Sequence, residues 1–156
     1  MKFTHLDSAG QAHMVDVTDK QPTKRAATAA ATVVCDSAVL RRITSGQVPK
    51  GDVLAVARIA GIAAAKRTPE LLPLAHVIGV HGASVDLVVG QESIEVTATV
   101  RTADRTGVEM EALTAASVGA LALIDMVKGL DRYAFIREVK LLAKEGGRSG
   151  SWRRDA

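Results

Sequence analysis

Alternation of apolar and polar residues predicts four β-strands. It is clearest in residues 92–102, where one face carries Ile94, Val96, Ala98 and Val100 and the other carries Glu95, Thr97, Thr99 and Arg101. Residues 78–89 predict a second strand, joined to the first through a turn at Gly90-Gln91. Residues 135–142 predict a further strand near the end of the chain. Residues 23–35 mix alanine, which favours helix, with threonine and valine, which favour strand. We interpret this segment as a strand, because β-branched residues close it and no helical charge pattern appears.

Helical periodicity and capping residues predict the remaining elements. Ser37 is a candidate N-cap for a short helix over residues 38–45, which Gly46 ends. Asp52 is a candidate cap for a second helix over residues 53–67. A helical turn is predicted at residues 70–72, and a long helix at residues 110–130.

The order of these elements is β-α-α-β-β-α-β, which predicts one domain over residues 1–156. With one helix counted as extra, this is the split βαβ pattern of ferredoxin-like α+β folds, with an antiparallel sheet and helices on one face. We expect residues 1–11 to form a flexible arm and residues 146–156 a flexible, basic, glycine-containing tail. The second face of the sheet needs a cover, and another subunit is the simplest one, so we predict a homo-oligomer.

Composition limits the classes that the chain can belong to. Aromatic residues make up only 3%, so the core must consist of Ala, Val, Leu and Ile. A single cysteine, Cys35, excludes an internal disulfide. The N-terminus lacks the apolar segment of a secretory signal, and the longest charge-free helical stretch, between Glu111 and Asp125, is shorter than a membrane span. We therefore expect a cytoplasmic protein without membrane contact.

Positive charge is concentrated at the C-terminal end. Residues 128–156 hold eight Lys and Arg side chains against four acids, although the whole chain has a net charge of only +3. This suits an anionic ligand or partner, and a solubilising tail is the alternative explanation. Lys144 and Arg148 flank Gly146-Gly147, an arrangement that lets backbone amides and cations surround a phosphate. Lys50 and Arg25 lie in predicted loop or strand-start positions.

Two apparent motifs do not support a site. Residues 46–51 resemble the start of a P-loop, but Asp52 stands where Lys is required. His76 and His81 are an odd number of residues apart on a predicted strand, so their side chains would point to opposite faces. We therefore predict no metal site.

Asp125 is the most informative residue of the long predicted helix. It interrupts an apolar run that looks largely buried, and an isolated carboxylate there would cost several kcal/mol. Lys128 lies three residues on, on the same side of the helix. The two residues form either a surface ion pair or an acid/base pair whose pKa values are tuned by burial.

Glu109 and Glu111 flank Met110 at the start of the same helix, where the helix dipole favours carboxylates. Glu111 and Asp125 share a helix face but lie about 21 Å apart at 1.5 Å per residue. One small substrate cannot reach both in a single chain. Two copies of the helix packed antiparallel would bring Glu111 of one subunit to Asp125 of the other.

Four segments together resemble one family closely. They are AHMVDVTDK (residues 12–20), KGDVLAVARIAGIAAAKRTPELLPLAH (50–76), TGVEMEALTAASVGALALIDMVK (106–128) and LLAKEGGRSG (141–150). These stretches are similar to the molybdenum cofactor biosynthesis protein C (MoaC) family. The resemblance implies a ferredoxin-like fold and a homohexamer, a trimer of dimers with active sites at the dimer interfaces.

The resemblance also implies an activity, that of a cyclic pyranopterin monophosphate synthase. Its substrate is a cyclised dihydroguanosine triphosphate made by a radical SAM enzyme, its second product is pyrophosphate, and molybdopterin synthase acts downstream. No cofactor is implied as required, although a divalent cation such as Mg²⁺ can accompany the triphosphate.

The residue roles follow position by position. The catalytic aspartate and lysine fall on Asp125 and Lys128. The substrate-contacting positions fall on Leu74, Ala75, His76, Glu109, Met110, Glu111, Lys50, Lys144 and Arg25. The chain has Ala75 and Val77 where many members have Cys and Pro.

A non-catalytic module of the same fold is the alternative. An RNA-binding version needs exposed aromatic residues on strands to stack bases, and only Phe135 is a strong candidate. A ligand-sensing version has no need of an Asp–Lys pair. We therefore expect an enzyme that does not bind nucleic acid.

Overall fold

A computed structural model describes residues 5–155 of the chain. Residues 1–4 of the expected arm lie outside the described residues, and residues 5–22 form turns and loop with one isolated bridge between Leu6 and Ala12. The elements in chain order are β1 (Thr23–Val34), α1 (Ser37–Thr44), α2 (Val53–Ala65), α3 (Thr68–Leu71), β2 (Gly82–Val89), β3 (Ser93–Asp104), α4 (Glu109–Val127), β4 (Phe135–Glu145) and β5 (Trp152–Arg153).

The five strands form one antiparallel sheet in the order β2-β3-β1-β4-β5. The first four strands interlock two split βαβ units, since β3 lies between β1 and β2, and β1 lies between β3 and β4. The predicted α+β, ferredoxin-like class is therefore confirmed. Strand β5 was not predicted, and it pairs with β4 through Arg153 and Trp152.

Strand β1 forms the centre of the core and confirms the choice of strand over helix. Its odd-numbered residues from Ala27 to Val33 face the helices and pair with Val100, Ala98, Val96 and Ile94 of β3. All eight of these side chains are essentially inaccessible to solvent. Three of the four β1 positions are alanine, so the helices can approach the sheet closely.

Helices α2 and α4 pack against each other over the sheet. Gly61 of α2 makes their close approach possible, because a Cβ there would lie 2.8 Å from the carbonyl oxygen of Ala115 and 3.0 Å from Val85. At 19 residues, α4 is long and apolar enough to cross a membrane by length and composition alone. The charge-free stretch between Glu111 and Asp125 is shorter, as expected, and half of the apolar window of α4 is buried in the fold.

Several predicted boundaries were wrong: α2 ends at Ala65 rather than 67, α3 spans Thr68–Leu71 rather than 70–72, and β4 extends to Glu145 rather than 142. Asp36, not Ser37, caps α1, and its carboxylate accepts from the Ala38 amide at 2.7 Å. Helix α4 ends at Val127, where its carbonyl accepts from the amides of Leu130 and Asp131. Strand β2 begins at Gly82 rather than at residue 78. His76 and His81 therefore lie in a loop, and the argument from opposite strand faces does not hold for them.

The second face of the sheet is polar. Its residues include Thr28, whose hydroxyl lies 3.0 Å from that of Thr99, and Thr32, whose hydroxyl donates to Glu95 at 2.7 Å. Helices α2 and α4 both pack on the opposite face, as the core residues of β1 and β3 show. The predicted placement of the helices on one face is confirmed for these two.

Candidate active site

The first part of the site is a cavity of about 340 Å³ at the start of α4. Two segments predicted to contact substrate meet there, the loop carrying Leu74, Ala75 and His76 and the first turn of α4 carrying Glu109, Met110 and Glu111. The loop between Val15 and Lys20 completes the wall. The structure thus brings together six of the predicted positions, which lie more than 30 residues apart in sequence.

His76 is held by the backbone of the Val15–Lys20 loop. Its Nε2 lies 2.6 Å from the Val15 carbonyl oxygen, which can only accept, so Nε2 carries the proton in this contact. The other ring nitrogen, Nδ1, takes no part in this contact and is the ring atom that a ligand would meet. Neighbouring Val77 is 88% exposed.

Glu111 is the buried acid of this cavity. The residue is only 3% exposed, and its Oε2 atom has no hydrogen-bond partner among the described residues. Burial raises the pKa of Glu111; its own backbone amide acts against that rise, and the nearby Glu109 charge adds to it. An unpaired polar atom inside a protein is costly, so an arriving donor would find a strong acceptor here.

The second part of the site surrounds Asp125 near the C-terminal end of α4. Lys128 Nζ donates to Oδ1 at 2.6 Å, and Lys50 Nζ donates to the Asp125 carbonyl at 2.7 Å and lies 3.7 Å from Oδ2. The Lys128 hydrogen bond, followed by the charges of Lys128 and Lys50, lowers the pKa of Asp125 below its usual range. The pairing of Asp125 with Lys128 is confirmed, and Lys50 joins it from a distant loop.

The expected burial of Asp125 was wrong. Its side chain is 59% exposed, so the pair has the geometry of a surface ion pair and burial does not tune its pKa. The apolar sequence around Asp125 wrongly suggested burial, because Asp125 lies on the outer side of α4, on the same face as exposed Leu121. Charge and hydrogen bonding, rather than desolvation, set the chemistry of this carboxylate.

A basic cavity of about 450 Å³ lies beside the first part of the site. Its lining includes Lys20, Arg25, Gly147, Arg148 and Ser149, and Lys20 also lines the cavity of His76. Lys144 Nζ hydrogen-bonds to the Ser149 hydroxyl, which brings the second predicted cation to the rim. Four cations therefore converge near the turn at residues 146–150, of which the charge pattern had placed Lys144 and Arg148 there.

The glycine pair of this turn is required by its geometry. Gly146 and Gly147 both have positive φ, of 85° and 75°, a backbone conformation that residues other than glycine rarely adopt. A Cβ on Gly147 would collide with the guanidinium of Arg25. Arg25 is fixed beneath it by donating to the carbonyls of Asp104 and Arg105, at 3.0 and 3.2 Å.

Lys20 is the residue that the sequence reasoning missed. It lines both adjoining cavities and is the only described side chain shared by them. Its position at the end of the AHMVDVTDK stretch was the available signal, because a lysine closing a loop between two predicted site segments suits an anionic ligand.

A single chain does not join the two parts of the site. Glu111 and Asp125 are fourteen residues apart on one helix, or about 21 Å at 1.5 Å per residue. The Asp125 pair therefore faces solvent at one end of α4, and the cavities of His76 and Arg25 lie at the other end. Within residues 5–155, no group of three or more His, Cys, Asp and Glu side chains is placed to hold a metal ion.

Known proteins resemble this chain over nearly its full length. A family model described as MoaC family matches residues 14–147. A cyclic pyranopterin monophosphate synthase 2 of Mycobacterium tuberculosis is 55% identical over 98% of this chain and 92% of its own length. The cyclic pyranopterin monophosphate synthase of Geobacter sulfurreducens is 54% identical, over 99% of this chain and 98% of its own. A Streptomyces griseus protein of the same name is also 54% identical. Since both the family model and these relatives cover most of the residues that build the site, this chain belongs to the MoaC family.

Proposed function

We propose that the protein is a cyclic pyranopterin monophosphate synthase of molybdenum cofactor biosynthesis, a lyase. It converts (8S)-3′,8-cyclo-7,8-dihydroguanosine 5′-triphosphate to cyclic pyranopterin monophosphate and releases pyrophosphate. The names of relatives about 55% identical over the whole chain support this activity. The observation that carries it is the Asp125 carboxylate held between Lys128 and Lys50.

The Asp125 cluster supplies the proton transfers. The lowered pKa of Asp125 keeps it charged at neutral pH, so it holds the lysine ammonium groups instead of taking protons itself. Lys128, with one hydrogen directed to Asp125, still has two N–H bonds to offer to substrate. A positioned acid or base of this kind typically contributes 10²–10⁴-fold to a rate. Lys50 extends the same cluster, so it acts beside Lys128 and adds positive charge to the reacting centre.

The basic cavity binds the triphosphate. Arg25, Lys144 and the neighbouring Arg148 and Lys20 offer charge-assisted hydrogen bonds to phosphate oxygens. Closing the cyclic phosphate forms a new oxygen–phosphorus bond at the α-phosphate as the bond to the pyrophosphate oxygen breaks. Cations at this position stabilise the charge that develops on the leaving pyrophosphate.

The cavity at the start of α4 holds the base end of the substrate. Purine and pterin rings carry N–H donors, and the unpartnered Oε2 of Glu111 is an acceptor placed to receive one. His76, with Nδ1 directed away from its Val15 contact, offers a second acceptor. Leu74, Ala75, Met110 and Glu109 line the same cavity and enclose the ring.

The complete site requires a second copy of the chain. The distance of about 21 Å between Glu111 and Asp125 on one helix supports a site shared between subunits. We propose a homohexamer built as a trimer of dimers, with the base cavity of one subunit meeting the Asp125 cluster of its dimer partner. The polar second face of the sheet offers further surface for assembly.

The surroundings of the reaction follow from its chemistry. Isomerisation and pyrophosphate loss need no redox cofactor, and a divalent cation such as Mg²⁺ would enter with the triphosphate, bound to its oxygens. The upstream neighbour is the radical SAM enzyme that makes the cyclised nucleotide, and molybdopterin synthase follows. We propose a cytoplasmic location, where guanosine triphosphate, the precursor, is found.

Turnover of the cyclised triphosphate tests the proposal. Pyrophosphate and pterin should both form with the wild-type protein, and Asp125→Asn should lower the rate by at least about 10²-fold, because the charge that holds Lys128 and Lys50 is gone. An ion pair this exposed adds little to folding stability, so the variant should remain folded, as a circular dichroism melt would check. Substrate binding without turnover by the wild type would instead support the non-catalytic module.

A further inference from the structure

The loop that carries His76 is anchored at Gly79 by two side chains of β3. The Gly79 amide donates to Asp104 Oδ2 at 3.2 Å, and its carbonyl accepts from the Thr102 hydroxyl at 2.5 Å. Residues 72–81 contain no helix or strand, so these bonds replace the ladder that would otherwise fix the backbone. Both contacts lie three residues beyond His76.

Asp104 also holds the segment that leads into α4. Its other carboxylate oxygen, Oδ1, accepts from the Arg105 amide at 2.7 Å. Four residues later α4 begins at Glu109, with Met110 and Glu111 in its first turn. One carboxylate therefore links the loop that carries His76 to the segment that leads into α4.

His81 reinforces the same junction. Its Nδ1 accepts from the Ala103 amide at 3.0 Å, and its own amide donates to the Arg101 carbonyl. Its ring lies against Gly79, where a Cβ would come within 3.1 Å of Nε2. The side chains of Thr102, Asp104 and His81 thus fasten the loop to the end of β3. Their contacts fall on three consecutive residues of that strand, 102–104.

The junction reaches the triphosphate cavity as well. Arg25 Nε donates to the Asp104 carbonyl at 3.0 Å, and Arg105 Nε donates to the Lys20 carbonyl at 3.0 Å. Residues 104 and 105 therefore hydrogen-bond to Arg25 and Lys20, two residues that line the triphosphate cavity, as well as to Gly79 of the His76 loop.

We propose that Asp104 is a positioning residue for substrate binding, assisted by Thr102. It sets the separation between His76 and the Met110-Glu111 turn, so that both can contact the base end of the substrate at once. This role of Asp104 rests on the proposed function, in which that cavity holds the base of the cyclised nucleotide. We assign Asp104 no contact with a reacting atom, because it lines neither cavity and its carboxylate oxygens accept from backbone amides.

A carboxamide in place of the carboxylate tests the proposal. Asp104→Asn keeps the shape but presents an NH₂ group to one of the two amides, so one anchor is lost and the other is weakened. We expect KM for the cyclised triphosphate to rise about tenfold while kcat changes less than about threefold, because binding geometry is lost and the Asp125 cluster at the far end of α4 is untouched. Asp86→Asn, an identical change on an exposed residue of β2, is the matched control and should behave as wild type.

Two further variants separate positioning from stability. Asp104→Glu retains the carboxylate and should restore part of the lost affinity, and Thr102→Val, which removes only the hydroxyl, should raise KM in the same direction as Asp104→Asn. Amide hydrogen exchange gives a readout independent of activity. Exchange at Gly79 and Arg105 should accelerate in Asp104→Asn, while amides of the core strand β1 keep their protection.

Three outcomes would overturn the proposal. The first is an unchanged KM in Asp104→Asn, and the second is amide exchange at Gly79 that matches wild type. The third is a loss of activity in which kcat falls in proportion to the folded fraction, as it would for a purely structural role. If the wild-type protein releases no pyrophosphate at all, the proposed function fails. The exchange measurement then still shows whether Asp104 fixes the two walls relative to each other.

Discussion

Replacing Glu111 by glutamine should stabilise the protein at neutral pH. The carboxylate is 3% exposed, Oε2 has no partner among the described residues, and burial is the main cause of its raised pKa. A buried acceptor left unpaired costs about 1–3 kcal/mol, and more when it is charged. Glutamine has nearly the same shape and no charge, and it too leaves a polar group unpaired, so we expect a gain of about 1–2 kcal/mol, the lower part of that range.

The gain should depend on pH in one direction. Because the pKa of Glu111 is raised in the folded state, the folded protein holds a proton that the unfolded chain releases, and stability falls as pH rises above the unfolded pKa of about 4.3. The penalty is fully present above the raised folded-state pKa and absent below the unfolded one. The advantage of Glu111→Gln should therefore be largest near pH 7.5 and shrink towards pH 4.5.

Thermal unfolding at fixed protein concentration measures this difference. For a chain of this size, about 1–2 kcal/mol corresponds to a rise in Tm of about 2–8 °C at pH 7.5. Glu92→Gln, in the exposed turn before β3, is the matched control and should leave Tm unchanged. A lower Tm for Glu111→Gln at pH 7.5 would refute the reasoning, because it would mean that the carboxylate has a cationic partner in the assembled protein. Activity of the same variant should fall, since a neutral amide oxygen accepts more weakly from the substrate base than a carboxylate does.

Three further predictions follow from the site and the core. Mixing Glu111→Ala with Asp125→Ala protein should restore part of the activity that each lacks, because a shared site can pair one intact half from each subunit; zero activity despite demonstrated subunit exchange would count against a shared site. Lys144→Ala should raise the Kd for the cyclised triphosphate about tenfold and make binding less dependent on salt, as measured by isothermal titration calorimetry. Lys66→Ala, at the exposed end of α2, is the control and should leave the Kd unchanged. Equal affinities of Lys144→Ala and wild type would show that Lys144 does not bind the triphosphate. Gly61→Ala should lower the free energy of unfolding by about 1–3 kcal/mol, because the new methyl group meets a backbone carbonyl 2.8 Å away; urea denaturation with an unchanged midpoint would show that α2 and α4 can move apart without cost.

Short-range patterns were sufficient to predict the fold. The alternation in β3 appears directly as its alternating burial, and the β-branched end of residues 23–35 outweighed the helix propensity of their alanines. The predicted element order produced the observed strand order because antiparallel neighbours and short connections leave few alternatives. Strand β5 escaped prediction, since two residues pairing beyond a glycine turn have no periodicity to detect.

Site geometry was predictable only in part. The Asp125–Lys128 pair is local to one helical turn, so spacing alone was enough. Lys50 reaches Asp125 across 75 positions of sequence, a contact that no local pattern encodes. The burial of Asp125 was wrongly predicted, and that of Glu111 was not predicted at all. Loops at residues 15–20 and 74–76 cover Glu111, while the far end, with Asp125, remains open to solvent, although both residues lie on nearly the same helix face.

The short strand β5 gives the protein a built-in optical probe. Trp152 is the only tryptophan of the chain, it pairs with Lys144, and Arg154 lies over its ring at 5.6 Å. Indole emission responds to nearby charge and to water, and the turn that connects Trp152 to Lys144 is the one that lines the basic cavity. Intrinsic fluorescence should therefore report occupancy of the triphosphate cavity without any label, while events confined to the core or to the Asp125 cluster leave the signal unchanged. Stopped-flow fluorescence could then time phosphate binding and pyrophosphate departure separately from pterin absorbance, and so show which of them limits turnover.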